Sequence, residues 1–346
     1  MKLTQRIEIL NFLRMEISCF LENPKAHEWN DLLEASYILN RWFTEESVLR
    51  SFAGIQSFLE KDKLEKWIGN YAISEVLENP NRIGVIMAGN IPMVGFHDLL
   101  CVFVSGNHFV GKLSSDDNIL IPALVKKMLE FSEEVEEIIY FDEQLKDNVD
   151  AVIATGSNNS ARYFEYYFGK YPNVIRKNRN AVAVLTGQET AEELDNLGQD
   201  IFAYHGLGCR NVSKLYLPKG YNIDAFYEGI YKYKNVIEHN KYNNNYSYNR
   251  TVYLMQTAKF YDNNFLLLKE DNSLTSPIGT VNFEIYSVVN EVKEHLLEED
   301  ENIQCVVSKI NDIHPRRVGL GEAQNPGLDD YADGVDTLQF LVELRN

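Results

Sequence analysis

The chain has 346 residues, more than one hydrophobic core usually supports, so two domains are expected. Its apolar content of 45% and its charged content of 24% are typical of a soluble globular protein. The formal net charge of −18 argues against non-specific binding to nucleic acid or anionic membranes. It also means that any anionic cofactor must be met by a local basic patch.

The cysteines favour a reduced, cytoplasmic setting. The chain has four of them, far apart and without the close pairs typical of metal ligands, so neither a disulfide framework nor a metal site is predicted. The N-terminus carries charges inside any apolar run, and we expect no signal peptide. The most apolar region, 83–104, is interrupted by polar residues and a proline, so no membrane span is expected.

The first half of the chain changes pattern near residue 80. Residues 1–80 are predicted to be helical, because apolar residues such as Ile7, Leu10 and Leu13 recur at helical spacing. Short apolar runs then alternate with helical stretches. The predicted strands are 82–88, 108–113, 135–141 and 151–155, and the predicted helices are 92–100, 119–131 and 160–169. This alternation predicts a parallel sheet with helices on both faces.

The second half continues the alternation from residue 181. The predicted strands are 181–185, 212–217, 281–289 and 303–310, and the predicted helices are 190–201, 223–233 and 291–299. The stretch 231–248, rich in Asn, Tyr and Lys, is predicted to be a surface loop, with a substrate-facing lid as the alternative. The stretch 337–344 is predicted to be an edge strand or a dimer-forming strand, and we expect a homodimer.

Cys209 follows a glycine-rich turn and precedes an apolar, strand-like run. A cysteine in that place can present its sulfur to a substrate, and the cations Arg210 and Lys214 would favour the reactive thiolate. The alternative is a small core cysteine. His205 lies four residues earlier and is expected to be structural, with thiolate tuning or proton donation as the alternative.

Two predicted strands end in polar motifs ahead of Cys209. Asn90, in Gly89-Asn-Ile-Pro, can donate its amide to an oxyanion or can cap a turn. Lys112, in Gly-Lys-Leu-Ser, ends a strand at the carboxyl edge of the sheet, where ligands bind. It can hold a ribose hydroxyl or the 2′-phosphate of NADP, with Ser114 adding a hydroxyl; the alternative is a solvated lysine.

Gly156 and Ser157 lie between a predicted strand and a predicted helix. Glycine permits close backbone approach there, and a helix N-terminus attracts a pyrophosphate. A capping role for Ser157 is compatible with that binding. The aromatic residues of 163–168 are expected to pack in the core, with the lining of a tunnel as the alternative.

Taken in order, these motifs resemble those of the aldehyde dehydrogenase superfamily. The strings Ala88-Gly-Asn-Ile-Pro-Met, Val110-Gly-Lys-Leu-Ser-Ser-Asp-Asp, Ala154-Thr-Gly-Ser and Gly208-Cys look most like its acyl-CoA reductase branch, the fatty-acyl reductases first known from bacterial bioluminescence. The resemblance covers about residues 80–220. It implies a Rossmann-like parallel-sheet cofactor domain at 1–180, which includes the helical N-terminal segment. A smaller α/β catalytic domain would follow at 181–312, then a tail at 313–346 that returns to the first domain or forms oligomers.

The resemblance implies NADPH-dependent reduction of an acyl-CoA to the aldehyde, with NADH the less favoured cofactor. Long-chain fatty acyl groups are among the candidate substrates, and Cys209 would form a thioester with the acyl group. The candidate catalytic residues are Cys209, Asn90 and His205, and the candidate cofactor-binding residues are Lys112, Ser114, Gly156 and Ser157.

One departure from the superfamily is informative. Hydrolytic aldehyde dehydrogenases carry a water-activating glutamate before the cysteine, whereas the stretch 174–181 carries Arg176, Lys177 and Arg179 and no carboxylate. The loss favours acyl-CoA chemistry over acid formation. These cations either contact cofactor or CoA phosphates or belong to a solvated loop. The alternatives for the chain are an acid-forming NAD(P)-dependent aldehyde dehydrogenase and, because the part after residue 220 is short, a degenerate nucleotide-binding member without activity.

Overall fold

The computed structural model describes residues 1–145 and 148–344. The chain forms two compact units. The first unit is Met1–Lys177 together with Gly327–Asn346, and the second unit is Asn178–Pro326. Within the described ranges, no helix is long and apolar enough to cross a membrane.

The first unit begins with four helices, as the apolar spacing predicts. They are α1 (Leu3–Glu22), α2 (Asn30–Leu39), α3 (Glu45–Phe58) and α4 (Lys61–Ile68). Along α1, Leu10, Leu13 and Ile17 are fully buried, one turn apart. The buried Arg6 donates to the carbonyls of Phe103 (3.0 Å) and Val104 (2.7 Å), at the C-terminal end of a helix against the sheet.

A five-stranded parallel sheet forms the centre of the first unit. Its strands are β1 (Arg82–Ile86), β2 (His108–Lys112), β3 (Ile139–Phe141), β4 (Ala151–Thr155) and β5 (Asn173–Arg176), and its helices are α5 (Phe96–Ser105), α6 (Leu120–Phe131) and α7 (Asn158–Phe168). The spatial order β3-β2-β1-β4-β5 reverses direction between β1 and β4. In open parallel sheets, ligands bind outside the carboxyl ends of the strands at such a reversal. The turns after β1 and β4, which carry Asn90 and Gly156, flank that point.

Some boundaries in this unit differ from the prediction. Residues 133–137 form a 3-10 helix, so β3 begins only at Ile139, and α5 begins at Phe96 instead of Pro92. The sequence did not predict β5, because a four-residue strand of Asn, Val, Ile and Arg carries little pattern of its own. Its pairing with β4 makes it a strand.

The second unit contains a seven-stranded sheet in the order β12-β11-β6-β7-β10-β9-β8. Its strands are β6 (Asn180–Val184), β7 (Val212–Pro218), β8 (Phe260–Asp262), β9 (Leu267–Glu270), β10 (Thr280–Tyr286), β11 (Ile303–Val307) and β12 (Arg317–Val318), and its helices are α8 (Ala191–Phe202), α9 (Ile223–Gly229), α10 (Asn240–Met255) and α11 (Val289–Glu298). The strands pair in parallel, except that β8 runs antiparallel to β9. The turn that carries Cys209 leads into β7 at the amino end of that strand.

The prediction of a surface loop at 231–248 is wrong. Residues 231–238 form a 3-10 helix, and α10 follows directly. His239 caps α10 by accepting the N–H of Tyr242 (3.3 Å), and Tyr242, Tyr246 and Tyr253 are buried. Asparagine has a low helix propensity, so burial of the tyrosine face decides the helix.

The predicted C-terminal strand is also wrong, because residues 337–343 form α12 (Thr337–Glu343) in the first unit. Asp336 accepts the N–H of Gln339 (2.8 Å) as its N-cap, and Leu338 and Leu341 are buried one helical turn apart. Residues 337–343 therefore offer no edge strand to a second copy.

Candidate active site

The turns that follow β1 and β2 pack against each other in the first unit. Asn90 is exposed in the turn after β1, and Lys112 is the partly exposed last residue of β2. A Cβ on Gly89 would come within 2.8 Å of the Ser114 Cβ, so only glycine permits this approach. The Ser114 hydroxyl accepts the N–H of Asp116 (3.2 Å). The structure thus brings Lys112 and Ser114 to the carboxyl edge of the sheet, beside the turn that carries Asn90.

Asp117 supports these two turns, and sequence reasoning gave it no role. Its buried carboxylate accepts the N–H of Met93 (2.7 Å), a residue with a left-handed φ of 56°. The pKa of Asp117 is raised to about 6. Burial raises it, and the backbone hydrogen bond from Met93 offsets only part of that rise. The signal in the sequence was a second aspartate in the Ser-Ser-Asp-Asp string.

The turn after β4 leads into the N-terminus of α7. The Ser157 hydroxyl accepts the N–H of Ser160 (3.2 Å) and so caps the helix. A Cβ on Gly156 would lie 2.8 Å from the Ser160 Cβ, which explains the glycine at this close approach. The first turn of α7, 158–161, contains no acidic residue in its sequence, so the positive end of the helix is not neutralised there.

Arg176 does not lie in a solvated loop, and its charge is already compensated. The side chain, in a residue only 4% exposed, donates to both carboxylate oxygens of Asp98 (2.7 and 2.8 Å) and to the Thr337 hydroxyl (2.7 Å). A phosphate contact by Arg176 is therefore a wrong prediction, because a buried bidentate pair must first be broken. The backbone N–H of the neighbouring Lys177 donates to Asp333 (3.2 Å).

Cys209 is exposed on a turn between α8 and β7 in the second unit. Gly208 and Asn211 close this turn: the Asn211 N–H donates to the Gly208 carbonyl (3.0 Å), and the Gly208 N–H donates to the Asn211 side-chain oxygen (2.8 Å). The exposed thiol excludes the alternative of a small core cysteine. Cys101 and Cys305, by contrast, are buried.

A run of left-handed backbone precedes this turn. Tyr204 (φ 51°), His205 (φ 57°) and Gly206 (φ 81°) all have positive φ. For each of the two non-glycine residues this conformation costs roughly 1–2 kcal/mol, and such strain is concentrated at functional sites. The strain marks the Cys209 segment as a candidate site independently of the cysteine itself.

His205 is a neutral imidazole at physiological pH. Burial and, to a smaller extent, His239, whose ring centroid is 4.3 Å away, together lower its pKa to about 4. A neutral ring can accept or donate a hydrogen bond, but it does not supply a cation to stabilise a thiolate. The pKa also disfavours the role of proton donor.

Lys214 serves a different partner from the one predicted. Its fully buried ammonium group donates to Glu284 (2.7 Å) and to the carbonyl of Asn272 (2.8 Å). Its charge is therefore compensated within the sheet, where β7 pairs with β10. The expectation that Lys214 favours the Cys209 thiolate is not supported by this geometry.

A small cavity of about 40 Å³ lies in the second unit. His205, Asn211 and the stretch 276–281 are among the residues that line it.

The aromatic residues of α7 divide between two environments. Phe164 and Phe168 pack against a buried cluster on β4 and its neighbours. Tyr163, Tyr166 and Tyr167 are exposed, at 65%, 83% and 44%. The expectation of a common core position is wrong for the tyrosines.

Comparison with solved structures identifies the fold. Aldehyde dehydrogenase 21 of Physcomitrella patens, in complex with the product succinate, has a TM-score of 0.69 and 13% identity over 99% of this chain and 84% of its own. The NAD+ complex of an aldehyde dehydrogenase from Bacillus cereus has a TM-score of 0.64 and 12% identity over 90% of this chain and 73% of its own. The Mycobacterium tuberculosis aldehyde dehydrogenase complexed with NAD+ has a TM-score of 0.60 and 12% identity, over 89% and 74%.

These similarities define the class of protein: the chain has the fold of the aldehyde dehydrogenases, and the predicted fold class is confirmed. A sequence profile described as acyl-CoA reductase (LuxC) matches residues 31–227, more than half of the chain. The chain therefore belongs to the acyl-CoA reductase (LuxC) family, a family of oxidoreductases, as the resemblance of its motifs predicts. No match was found among functionally curated proteins.

Proposed function

We propose that the chain reduces an acyl-CoA to the aldehyde with NADPH, through a thioester on Cys209. The observation that carries this proposal is the exposed thiol, held on a hydrogen-bonded turn after a strained left-handed segment. Membership of the acyl-CoA reductase family supports the substrate class.

Two features of the first unit favour a dinucleotide-binding site at the carboxyl edge of its sheet. The α7 N-terminus, with Gly156 and Ser157, suits a pyrophosphate, since helix N–H groups and the helix dipole favour an anion. Lys112 and Ser114 suit the adenosine ribose and its 2′-phosphate, which is the reason for NADPH over NADH. The cofactor, when bound, supplies the hydride.

The residues of this chain account for the acyl-transfer half of the reaction. The Cys209 sulfur attacks the thioester carbonyl carbon, a C–S bond to Cys209 forms, and the bond to the CoA sulfur breaks. The Cys209 N–H, on the same turn as the sulfur, stabilises the oxyanion, a role for which the sequence also proposes the Asn90 amide. The released CoA thiolate takes up a proton. After hydride addition to the acyl carbon, the C–S bond to Cys209 breaks and the aldehyde leaves.

Acid formation is the less favoured outcome. The stretch 174–181 contains no carboxylate that could activate water, and its Arg176 is held by Asp98. We therefore propose transfer between thiols, with His205 as a neutral hydrogen-bonding group instead of an acid.

The test is a spectrophotometric assay with NADPH and acyl-CoAs from short to long. Wild type and a Cys19→Ala control, which removes another exposed thiol, should oxidise NADPH only when acyl-CoA is present, whereas Cys209→Ala should not. Wild-type turnover in Cys209→Ala would exclude the thioester. No turnover with any acyl-CoA would favour a nucleotide-binding member without activity. Intact turnover in Asn90→Ala would remove only its oxyanion role.

The expected homodimer and cytoplasmic location stay proposals. The segment that was predicted to be a dimer-forming strand is the helix α12. A dimer would therefore not form by strand pairing through this segment. Light scattering of the purified chain over a concentration series measures the assembly directly.

A further inference from the structure

Asn211, a residue that the sequence did not single out, makes four side-chain hydrogen bonds at the Cys209 turn. It is 4% exposed. Its side-chain amide nitrogen donates to the carbonyls of Ala203 (2.8 Å), Asp200 (3.1 Å) and Ile201 (3.3 Å), and its oxygen accepts the Gly208 N–H (2.8 Å). One amide group thus joins the C-terminal end of α8 to the residue just before Cys209.

We propose that Asn211 is a positioning residue for Cys209: it holds the turn in the orientation from which the thiol attacks the substrate carbonyl. This inference rests on the proposed function, because it deepens the role of the same site.

The bonding pattern requires an amide. The last carbonyls of a helix have no partner within the helix, and the two N–H bonds of the Asn211 amide are shared among two such carbonyls and that of Ala203 just beyond. The same group must present an acceptor on its other side to Gly208. An aspartate at position 211 would place an oxygen, which cannot donate, next to three carbonyl oxygens. An alanine there would leave all three carbonyls without this donor.

The bond to Ala203 also bears on the strained backbone. Ala203 directly precedes Tyr204 and His205, the two left-handed residues. Strained conformations persist only where surrounding contacts hold them, and Asn211 fixes both ends of the segment 203–208. Loss of the amide should let this segment relax and move the Cys209 sulfur. A displacement of about 1 Å at a reacting group costs about 100-fold in rate.

The test compares Asn211→Asp with a matched control, Asn282→Asp. Asn282 is also buried, and its amide donates to the carbonyls of Ser273 and Thr275 (both 3.0 Å), neither of which belongs to the Cys209 turn. Two rates are measured: alkylation of Cys209 by iodoacetamide across a pH series, and the single-turnover release of CoA.

We expect Asn211→Asp to slow CoA release by about 100-fold and to change the pH profile of alkylation, with an unaltered KM for NADPH. Asn282→Asp should lower the denaturation midpoint comparably and keep both rates. Wild-type rates in a folded Asn211→Asp protein would overturn the proposal. Equal decreases of both rates in Asn282→Asp would also overturn it.

If Asn211→Asp does not fold, Gly208→Ala replaces it. A Cβ at Gly208 would lie 3.0 Å from the Asn211 side-chain oxygen and so perturbs the same bond from its other end. It should slow both rates in the same direction, and unchanged rates would overturn the proposal. The alkylation profile needs no turnover. A wild type that reduces no acyl-CoA would therefore contradict the proposed function and leave the positioning of Cys209 separately testable.

Discussion

At the scale of single residues, buried carboxyl groups set how the second unit responds to pH. Asp200 is fully buried at the end of α8 and accepts the N–H groups of Gly321 (2.6 Å) and Ala323 (3.0 Å). Its pKa is raised to about 7. Burial is the main cause, the two backbone hydrogen bonds act in the opposite direction, and the charge of Glu322 raises the pKa as well. The folded chain therefore binds this proton more tightly than the unfolded chain, whose carboxyl has its ordinary pKa near 4.

The sign of the resulting pH dependence follows from that difference. The free energy of unfolding should fall as the pH rises from about 4 to about 7, by at most about 1.4 kcal/mol per pH unit from this group. Urea denaturation of wild type and Asp200→Asn at several pH values in that range measures the two slopes. The wild-type slope should be the steeper one, since groups such as Asp117 act in both proteins. Parallel slopes would contradict the assignment to Asp200.

Lys112 gives a residue-scale prediction about the cofactor. Lys112→Gln should raise the KM for NADPH by about tenfold or more and leave the KM for NADH nearly unchanged, because a charge-assisted bond to phosphate is worth about 1.5–3 kcal/mol. Steady-state kinetics with both cofactors measures the ratio. Lys126→Gln, which removes the same charge from the exposed face of α6, is the control. Equal changes with both cofactors would exclude a 2′-phosphate contact.

At the scale of elements, α12 stabilises the first unit through its N-terminus. One carboxylate oxygen of Asp336 caps the helix, and the other accepts the Tyr71 hydroxyl (2.8 Å). Tyr331, in the same tail, accepts the indole N–H of Trp67 (2.9 Å). These contacts attach the C-terminal tail to the helices at the start of the chain.

Asp336→Ala should lower the free energy of unfolding by about 1–2 kcal/mol, as loss of an N-cap does, and somewhat more if the Tyr71 bond also contributes. Chemical denaturation gives the value directly. Asp329→Ala, at an exposed aspartate of the same tail, should change it by less than about 0.5 kcal/mol. If the two variants lost equal stability, α12 would not depend on its cap.

At the scale of the whole molecule, the net charge of −18 opposes the approach of anionic substrates. The Debye length shrinks from about 30 Å at 0.01 M salt to about 8 Å at 0.15 M, so salt screens this repulsion. We expect kcat/KM for acyl-CoA to rise across that range, whereas a neutral thioester substrate should show little change. A fall in kcat/KM with salt would mean that local cations, such as Lys112 in the first unit, outweigh the net charge.

The sequence by itself determined the fold class, the family and the order of the candidate motifs. Apolar runs that alternate with helical spacing, and polar or glycine-rich turns at the strand ends, are local signals, and they place Asn90, Lys112, Gly156 and Cys209 at the ends of strands. These signals depend on backbone geometry within a few residues, which the chain carries wherever it folds.

Only the tertiary structure decided which polar groups are already engaged and which weak segments become regular. The engagement of Arg176 by Asp98 and of Lys214 by Glu284 joins residues about 70 or more positions apart. α10 and α12 form because burial outweighs their local propensities. The importance of Asn211 also needs the folded chain: its four partners, on α8, at Ala203 and at Gly208, meet only when the Cys209 turn folds back against the end of α8.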